Sequence, residues 1–433
     1  MSKEILTGQG SWPIGKKIGV LASFLFTLAV VVPLDPAQAI RHAISIGVPN
    51  RYYLGSFLSR SGSDRDYTNI IIAILVFSAL AFAWTFIDRK RRSYETLYYW
   101  TWVLARYKVA DVMFWFGIEK VFPIQMPAPT LSYLNTNLGD IHPWKLYWLT
   151  TGAAPGFEMF CGAFEVLAAA LLIFRRTATL GALAMLAITV PIIAVNVGYD
   201  AGVQRPATLI LLLLAIIISY DFKGLWDFWV LRKQAALHNP PAIFNSAPQK
   251  YARHILFAVF VISTVVLRGI GMYDWYSKGE SDKLPKEKGI PGFYGYYRVP
   301  QFSVNGNELP YSYTDRLRWQ DVVFEKWNTI TVKTARPVHV KKVRQAARPL
   351  KETLGVAGRH YYYYKADTVS SKLNLIYKSD STESFHFHYI KQEGSLLKLS
   401  GVNEKGDSLK ITLEKIDKQY PLIDGRQNKT YNP

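Results

Sequence analysis

The sequence has little cysteine and little histidine, and both shortages limit the chemistry that it can perform. Cys161 is the only cysteine among the 433 residues. This excludes an internal disulfide, a redox pair of thiols and a metal site built from several cysteines. His386 and His388 share one face of a predicted strand, but no third ligand stands near them in the sequence. We therefore predict no metal site and identify no cofactor motif for flavin, haem or iron–sulfur clusters.

Long apolar runs are also absent from the last third of the chain, beyond about residue 280. Before that point the runs are frequent, although 19% of all residues are charged and the formal net charge is +19. Most of the runs approach the ~20 residues that a helix needs to cross the hydrocarbon core of a bilayer. The runs lie near residues 18–33, 69–87, 154–174, 177–197, 206–220 and 254–270. Region 97–121 is as long, but it carries several charges.

The basic residues beside these runs predict the orientation of the chain in a membrane. They form four clusters: Lys16-Lys17, Arg89 to Arg92, Arg175-Arg176, and the group from Lys223 to Arg253. All four clusters fall on one side of the membrane only if region 97–121 crosses it as well. That side is the cytoplasmic one, because Lys and Arg gather there in membrane proteins. The sequence thus predicts seven spans in a bacterial inner membrane, with a cytoplasmic N-terminus and a periplasmic C-terminal domain.

The first run has a second interpretation. Lys16-Lys17, the apolar stretch and Ala37-Gln38-Ala39 together match a secretory signal with its cleavage site. The apolar stretch is long for a signal, so we expect it to remain as a span. The predicted topology downstream is the same in either case.

Charged side chains inside the predicted bundle are the candidate functional residues. A charge at mid-bilayer costs roughly 2.5–3.5 kcal/mol, so such groups face the bundle interior and pair with one another. We expect two layers of complementary charge between the third and fourth spans, which run antiparallel. The inner layer comprises Arg106, Lys108, Asp111 and Glu165, with a Lys108–Asp111 pair on one helix face. The outer layer comprises Glu119, Lys120, Glu158 and Asn196, with Lys120 opposite Glu158.

Three roles for these layers remain open at the level of sequence. In the first, the ion pairs hold the bundle together and do no chemistry. In the second, the charged layers bind a small polar or quinone-like ligand or relay protons. In the third, they contact a partner protein. In the second role, Glu165 and Asp111 would be the titrating groups.

Three stretches within residues 97–222 carry a family resemblance: "YKVADVMFWFGIEKVFP", "FEVLAAALLIFRRTATLGALAMLAITVPIIAVNVGYD" and "RPATLILLLLAIIISYDF". They resemble the DoxX family of bacterial four-helix membrane proteins. In that family a Gly-x-x-Lys ends the first helix, matched by Gly117 and Lys120. A Glu followed by a basic turn marks the second helix, matched by Glu165 and Arg175-Arg176. The resemblance implies a four-helix core and, through a relative associated with thiosulfate:quinone oxidoreduction, a link to quinone.

The tail after a polar linker at 278–292 has the pattern of β-strands. Apolar and polar residues alternate between short turns, and Asn305-Gly306 is a hairpin signal. An antiparallel β domain is predicted for 293–433, either as a sheet or as a small barrel that loosely resembles lipocalins. Its aromatic runs, 359–364 and 385–389, are read as core filling, with a ligand-lining cavity as the alternative.

The complete expectation is an α-helical polytopic bundle followed by this β domain. Its parts are a helix pair with an outer loop at 1–96, the four-helix core at 97–222, a cytoplasmic loop and last helix at 223–277, the linker and the β domain. The leading hypothesis for function is a non-catalytic anchor or accessory subunit that meets the lipid bilayer and a protein partner, and not nucleic acid. A quinone- or sulfur-linked redox component and a transporter or proton relay are the alternatives, and the sequence does not decide whether the protein is an enzyme.

Overall fold

The computed structural model describes residues 11–31, 67–235, 246–279, 283–340, 352–392 and 395–424. The cleavage pattern at Ala37 to Ala39 lies outside them. The chain divides into two compact units. The first, called the bundle unit, comprises Met1–Gln125 and Glu158–Trp275, and the second, called the barrel unit, comprises Met126–Phe157 and Tyr276–Pro433.

The helices of the described residues coincide with the predicted runs and add short helices between them. In chain order they are α1 (Ile14–Val31), α2 (Thr68–Ile87), α3 (Glu95–Val121), α4 (Leu131–Leu134), α5 (Pro143–Gly152), α6 (Pro155–Ile173), α7 (Ala178–Gly198), α8 (Gln204–Ser219), α9 (Phe222–Trp229), α10 (Ala247–Val261), α11 (Arg268–Ser277) and α12 (Pro421–Asp424). A π-helical turn, Ile262–Leu267, joins α10 to α11.

Five helices among the described residues are long and apolar enough to cross a membrane: α1, α2, α6, α7 and the continuous stretch Ala247–Ser277. The pair α8 and α9, which is bent by 77°, makes a sixth if it is counted as one span. The charged helix α3 is not among them. The prediction of a polytopic helical membrane protein is thus confirmed in its coarse form, whereas the count of seven spans is not.

The bundle unit has an apolar core and an apolar outer surface. Trp102, Val109 and Met113 of α3 belong to its main buried cluster, together with Leu172 of α6 and Leu213 of α8. On α2 most of the apolar side chains are exposed instead. They include Ile71, Leu75, Leu80 and Phe82, each more than half exposed. Such a continuous apolar exterior is typical of a helix bundle surrounded by lipid.

The barrel unit contains an antiparallel barrel of eight main strands with a ninth strand of two residues beside it, and the alternation predicts such an antiparallel β domain. Its strands are β1 (Gly295–Val304), β2 (Asn307–Glu308), β3 (Asp321–Phe324), β4 (Thr329–Lys333), β5 (His360–Asp367), β6 (Lys372–Tyr377), β7 (Ser384–Lys391), β8 (Leu396–Asn403) and β9 (Ser408–Ile416). Neighbours in the chain pair from β3 to β9, and β1 pairs with both β3 and β9, which closes the barrel. The two-residue strand β2 pairs antiparallel with the end of β1 across the predicted Asn305-Gly306 turn, in which both residues have positive φ.

The interior of the barrel is filled with side chains. The buried cluster includes Phe302, Trp319, Tyr364 and Phe387, whose neighbours are leucine, isoleucine and valine. Eight strands enclose a space that side chains can fill completely. Core filling therefore accounts for most of the aromatic residues in the predicted runs, while His386 and His388 lie exposed on the other face of β7.

Residues 126–157 belong to the barrel unit, which differs from the expectation that 97–222 forms one continuous core. All residues of β3 and the first four of β4 are buried, so both faces of these strands are covered. Ser132 of α4 donates its backbone N–H to Glu325 Oε1 at 2.7 Å, and its hydroxyl lies 3.0 Å from that of Thr331. The physical reason for the difference is that this segment covers the outer face of the barrel and hydrogen-bonds to it.

Helix α5 fits against the barrel at a glycine. Gly355 has φ +69°, and a Cβ placed there would lie 2.8 Å from Cζ2 of Trp144 and 2.9 Å from Cβ of Lys145. Nearby, His142 donates its backbone N–H to Gly355 O at 2.9 Å, and Ile141 bridges to Val356. Any side chain at Gly355 must push α5 away.

We predict that Gly355→Ala loosens α5 by about 1–3 kcal/mol more than Gly406→Ala does. Gly406 has a similar φ of +82° with no atom near its added Cβ, so both variants carry the backbone strain and only one carries the clash. Hydrogen exchange of the α5 amides measures the difference. Equal protection in the two variants would show that α5 does not pack closely on Gly355.

Candidate functional site

Helices α3 and α6 approach each other closely at a pair of glycines in the bundle unit. A Cβ on Gly162 would lie 2.6 Å from the carbonyl oxygen of Gly117 and 2.7 Å from Cβ of Lys120. A Cβ on Gly117 would lie 2.8 Å from Cγ2 of Val166. Small residues at such a contact allow the two backbones to touch, which is a common way for helices to associate in membranes.

Lys120 and Glu165 form an ion pair beside this crossing. Lys120 Nζ donates to Glu165 Oε1 at 2.8 Å and to Oε2 at 2.7 Å. The side chains are only 11% and 2% exposed. The pair is therefore a buried, charge-assisted contact in which each charged group is the partner that keeps the other in the apolar interior.

The expected pairing of Lys120 with Glu158, and of Glu165 with the inner layer, is wrong. Counting residues along two antiparallel helices places Lys120 opposite the start of α6. However, side chains on a helix lean toward its N-terminus. The Lys120 side chain therefore points back along α3 toward the predicted inner layer, and the Glu165 side chain points back along α6 toward the predicted outer layer. The two side chains meet between these layers.

Asp111 pairs with the last helix of the bundle. Arg268 Nη2 lies 2.6 Å from Asp111 Oδ1, and Arg268 Nη1 donates to the Asp111 carbonyl at 2.8 Å. Thr264, within the π-helical turn, donates its hydroxyl to Asp111 Oδ1 at 3.4 Å. The expected Lys108–Asp111 pair is absent, and Lys108 is half-buried and takes part in none of the ion pairs among the described residues.

Arg106 is buried without a carboxylate, contrary to the expected pairing with Glu165. Arg106 is 4% exposed, and its guanidinium carbon lies 3.9 Å from the centre of the Trp102 ring. Its Nη2 makes one long hydrogen bond, 3.4 Å, to the carbonyl of Ile173 at the end of α6. The four members of the predicted inner layer therefore lie in four different environments.

The other members of the predicted outer layer lie at or near the Lys120 end of the bundle. Glu158 is buried at the start of α6, and Glu119 is half-buried beside Lys120. Asn196 is buried on α7, where its amide nitrogen donates to the Ile192 carbonyl of the same helix at 2.7 Å. Its backbone carbonyl accepts from Gln204 Nε2 of α8 at 2.8 Å, so this residue joins two helices.

Together these contacts make the charged part of the bundle a set of cross-links. The Lys120–Glu165 pair joins α3 to α6, and the Asp111–Arg268 pair joins α3 to α11. Both carboxylates that were candidates for titration are held by a cation at hydrogen-bond distance. The arrangement suits a structural role more directly than it suits proton transfer.

A second group of polar side chains lies at one end of the barrel, in the barrel unit. It lines a cavity of about 220 Å³ that includes Arg336, Tyr362 and Glu383. Arg336 donates to both carboxylate oxygens of Glu383, at 2.7 and 2.9 Å, and Tyr362 donates to Glu383 Oε1 at 2.5 Å. His360 Nδ1 lies 3.0 Å from Arg336 Nη2, and burial together with that cation lowers the pKa of His360 to about 4.

Sequence reasoning missed three ion pairs that the structure brings together, namely Asp111 with Arg268, Lys378 with Glu352, and Arg336 with Glu383. The first could have been suspected from the sequence, because Arg268 is an arginine within the apolar run 254–270 and needs a partner there. The buried ion pair of Lys378 with Glu352 gave no such signal, since both residues lie in polar stretches. Burial lowers the pKa of Lys378, and Lys378 Nζ also donates to Thr329 Oγ1 at 2.7 Å.

The similarity of the chain to known proteins is limited. No protein-family model and no solved structure matches it. One stretch of 78 residues is 38% identical to YwoB, an uncharacterized protein of Bacillus subtilis (strain 168). The match covers 18% of this chain and 51% of that relative, so the chain spans about half of the relative's length. The name of this relative assigns no activity.

We predict that Glu165→Gln destabilises the bundle by about 3–5 kcal/mol, because Lys120 is then left buried without its counter-charge. Adding Lys120→Met should restore most of the loss, whereas adding Lys108→Gln should restore none of it. Unfolding of the single and double variants in one detergent measures both effects. The exposed pair Arg298–Glu414 in the barrel unit provides a control, for which the same cycle should give about 0–1 kcal/mol. Restoration by Lys108→Gln would contradict the observed pairing.

We predict that the barrel loses stability as the pH falls from 6.5 to 4. In this window the unfolded chain binds a proton at position 360, with a pKa near 6.5, whereas folded His360, with a pKa of about 4, does not. The loss amounts to about 3 kcal/mol at most. Unfolding of His360→Gln should show a shallower pH dependence than wild type, and the exposed control His388→Gln should not. Parallel pH profiles for all three proteins would contradict the prediction.

Proposed function

We propose that the protein is a non-catalytic membrane subunit whose helix bundle anchors the barrel unit outside the cytoplasmic membrane. The observation that carries this proposal is the pairing of the candidate acidic residues with cations on neighbouring helices. Each pair connects α3 to another helix. Charges used in this way hold a bundle together and are not available to relay protons.

The location rests on the basic clusters and on a count of crossings. Residues 126–157 and 276–433 belong to one compact unit, so both must lie on the same side of any membrane. The chain must therefore cross an even number of times between them. Helices α6 and α7 and the stretch Ala247–Ser277 make three crossings, and the bent pair α8–α9 makes the fourth. This supports four crossings here, with Arg175, Arg176 and the loop after α9 on the cytoplasmic side.

The crossing of α3 and α6 also supports the proposed relation to the DoxX family. Gly117, Lys120 and Glu165 carry the resemblance in the sequence, and the same three residues form the close contact and the ion pair of the bundle. We accordingly propose a DoxX-like core made from α3, α6, α7 and α8. In the bundle these residues hold two helices together. This favours an accessory role over the quinone-linked chemistry that the resemblance also implies.

The barrel offers a surface for a protein partner. Tyr311, Tyr313 and Leu317, between β2 and β3, are 54%, 76% and 66% exposed. The rings of the two tyrosines meet edge to face, with centres 5.1 Å apart. Exposed aromatic side chains in a group are common at protein interfaces. Since the barrel interior is filled, we place the binding function on this outer surface.

The experiment that tests this proposal replaces the ion pair by apolar residues. Cells carrying Lys120→Met with Glu165→Leu should keep the wild-type phenotype and the wild-type crosslinked complexes, because an apolar pair can replace a buried ion pair without loss of fold. Tyr311→Ser with Tyr313→Ser should keep the fold and lose the complexes. The control is Tyr199→Ser, an exposed tyrosine of the bundle unit.

The contrary outcome is also specific. If Lys120→Met with Glu165→Leu is folded, reaches the membrane and yet behaves like a strain without the protein, the pair has a chemical role. The redox component or the proton relay would then replace the anchor as the function.

A further inference from the structure

A cavity in the bundle unit lies between α3, the end of α6 and α10. Its volume is about 510 Å³, which is within the range of about 300–1,000 Å³ of ligand pockets. Its apolar wall includes Phe174, Phe257 and Phe260. Three arginines also line it, namely Arg106, Arg175 and Arg253. The cavity thus combines a large apolar wall with a strong positive charge.

Arg106 is the deepest of these cations, and its hydrogen-bonding capacity is unfilled. Its Nε and Nη1 are buried and have no hydrogen-bond partner among the described residues. None of the ion pairs among the described residues includes Arg106, and the residue is only 4% exposed. A buried guanidinium normally faces an anion or a full set of acceptors. The two unfilled donor atoms therefore indicate an anion that none of the described residues supplies.

The remaining lining identifies the kind of anion. A small hydrophilic ion would meet the arginines but would make no apolar contact with the phenylalanine wall of the cavity. An amphiphile with one charged group and an apolar tail satisfies both parts of the cavity at once. The outward side chains of α10 beside the cavity are also apolar, since Leu256 and Val259 are 69% and 57% exposed. An acyl chain can lie along them.

We propose that this cavity binds an anionic phospholipid of the cytoplasmic leaflet, with its phosphate at Arg106 and between Arg175 and Arg253. This inference rests on the proposed membrane location. That location places Arg175 and Arg253 at the cytoplasmic surface, where anionic lipids and basic pockets between helices meet. The bound lipid supplies the counter-charge of Arg106 and fills the space between α3 and α10.

The test uses the full-length protein, freed of lipid in a neutral detergent, and three probes. These are phosphatidylglycerol with eight-carbon chains, phosphatidylcholine with the same chains, and inorganic phosphate. Binding is followed by native mass spectrometry and by the shift in melting temperature. We expect one molecule of phosphatidylglycerol to bind at saturation, with much weaker binding of the other two probes.

Variants separate this site from general attraction to a basic surface. Arg175→Gln with Arg253→Gln removes two lining charges from half-buried and exposed positions, and Arg106→Gln removes the central one. Arg176→Gln with Lys250→Gln is the matched control. It removes the same amount of charge from exposed neighbouring residues that do not line the cavity. We expect the lining variants to bind phosphatidylglycerol about tenfold more weakly, as for the loss of a charged hydrogen bond, and the control to bind like wild type.

Three outcomes would overturn the proposal. Equal binding of phosphatidylcholine would mean an apolar groove without a phosphate site, and equal binding of inorganic phosphate would mean a free-anion site. The same loss in the lining and control variants would mean unspecific surface attraction. The binding of Arg106→Gln is interpreted only if this variant folds. If it does not fold, the binding of the double variant of Arg175 and Arg253 decides the result.

Failure of the lipid site and failure of the proposed location give different results. Reporter domains fused after Lys233 and after Gly292 should lie on opposite sides of the membrane, the first in the cytoplasm. If they do and no lipid binds, the lipid site alone is wrong. If both reporters lie on the same side, the proposed location itself is wrong.

Discussion

Two glycines, Gly117 and Gly162, let α3 and α6 approach until their backbones touch, and the charge arrangement of the bundle depends on this approach. A charged side chain in a membrane-embedded helix is costly unless it pairs with another group, lines a cavity or reaches the interface. At this crossing, the Lys120 ammonium reaches Glu165 with two hydrogen bonds. A wider separation of the helices would break that contact and leave two buried charges apart.

The helices and the barrel could be predicted because local patterns encode them. Apolar runs of membrane-spanning length became helices, and the alternation after residue 292 became a closed antiparallel barrel. The Asn305-Gly306 turn is an especially local case, since two adjacent residues with positive φ suffice to make it. These features depend on neighbours in the sequence and little on the rest of the fold.

The pairings in the bundle could not be predicted, because they depend on distances between helices that the sequence does not state. Arg268 lies 157 positions after its partner Asp111. The π-helical turn next to it adds a local change of helical phase, which decides whether Thr264 and Arg268 both face α3. The Lys120–Glu165 contact depends on the lean of side chains toward the N-terminus, a three-dimensional effect that residue counting ignores.

The barrel unit is built from two parts of the chain, and this has a consequence for how the protein is made. Residues 126–157, which cover β3 and β4, leave the ribosome before helices α7 to α11, whereas the strands that they cover follow those helices. At about 5–20 residues per second, the segment waits roughly ten seconds or more for the barrel to appear. During that time Tyr133 and Leu149, which end up in a common buried cluster, are without their final neighbours. The barrel unit therefore cannot be completed until its last strands have been synthesised, because its covering segment and its strands are separated in the chain by the helices of the bundle unit.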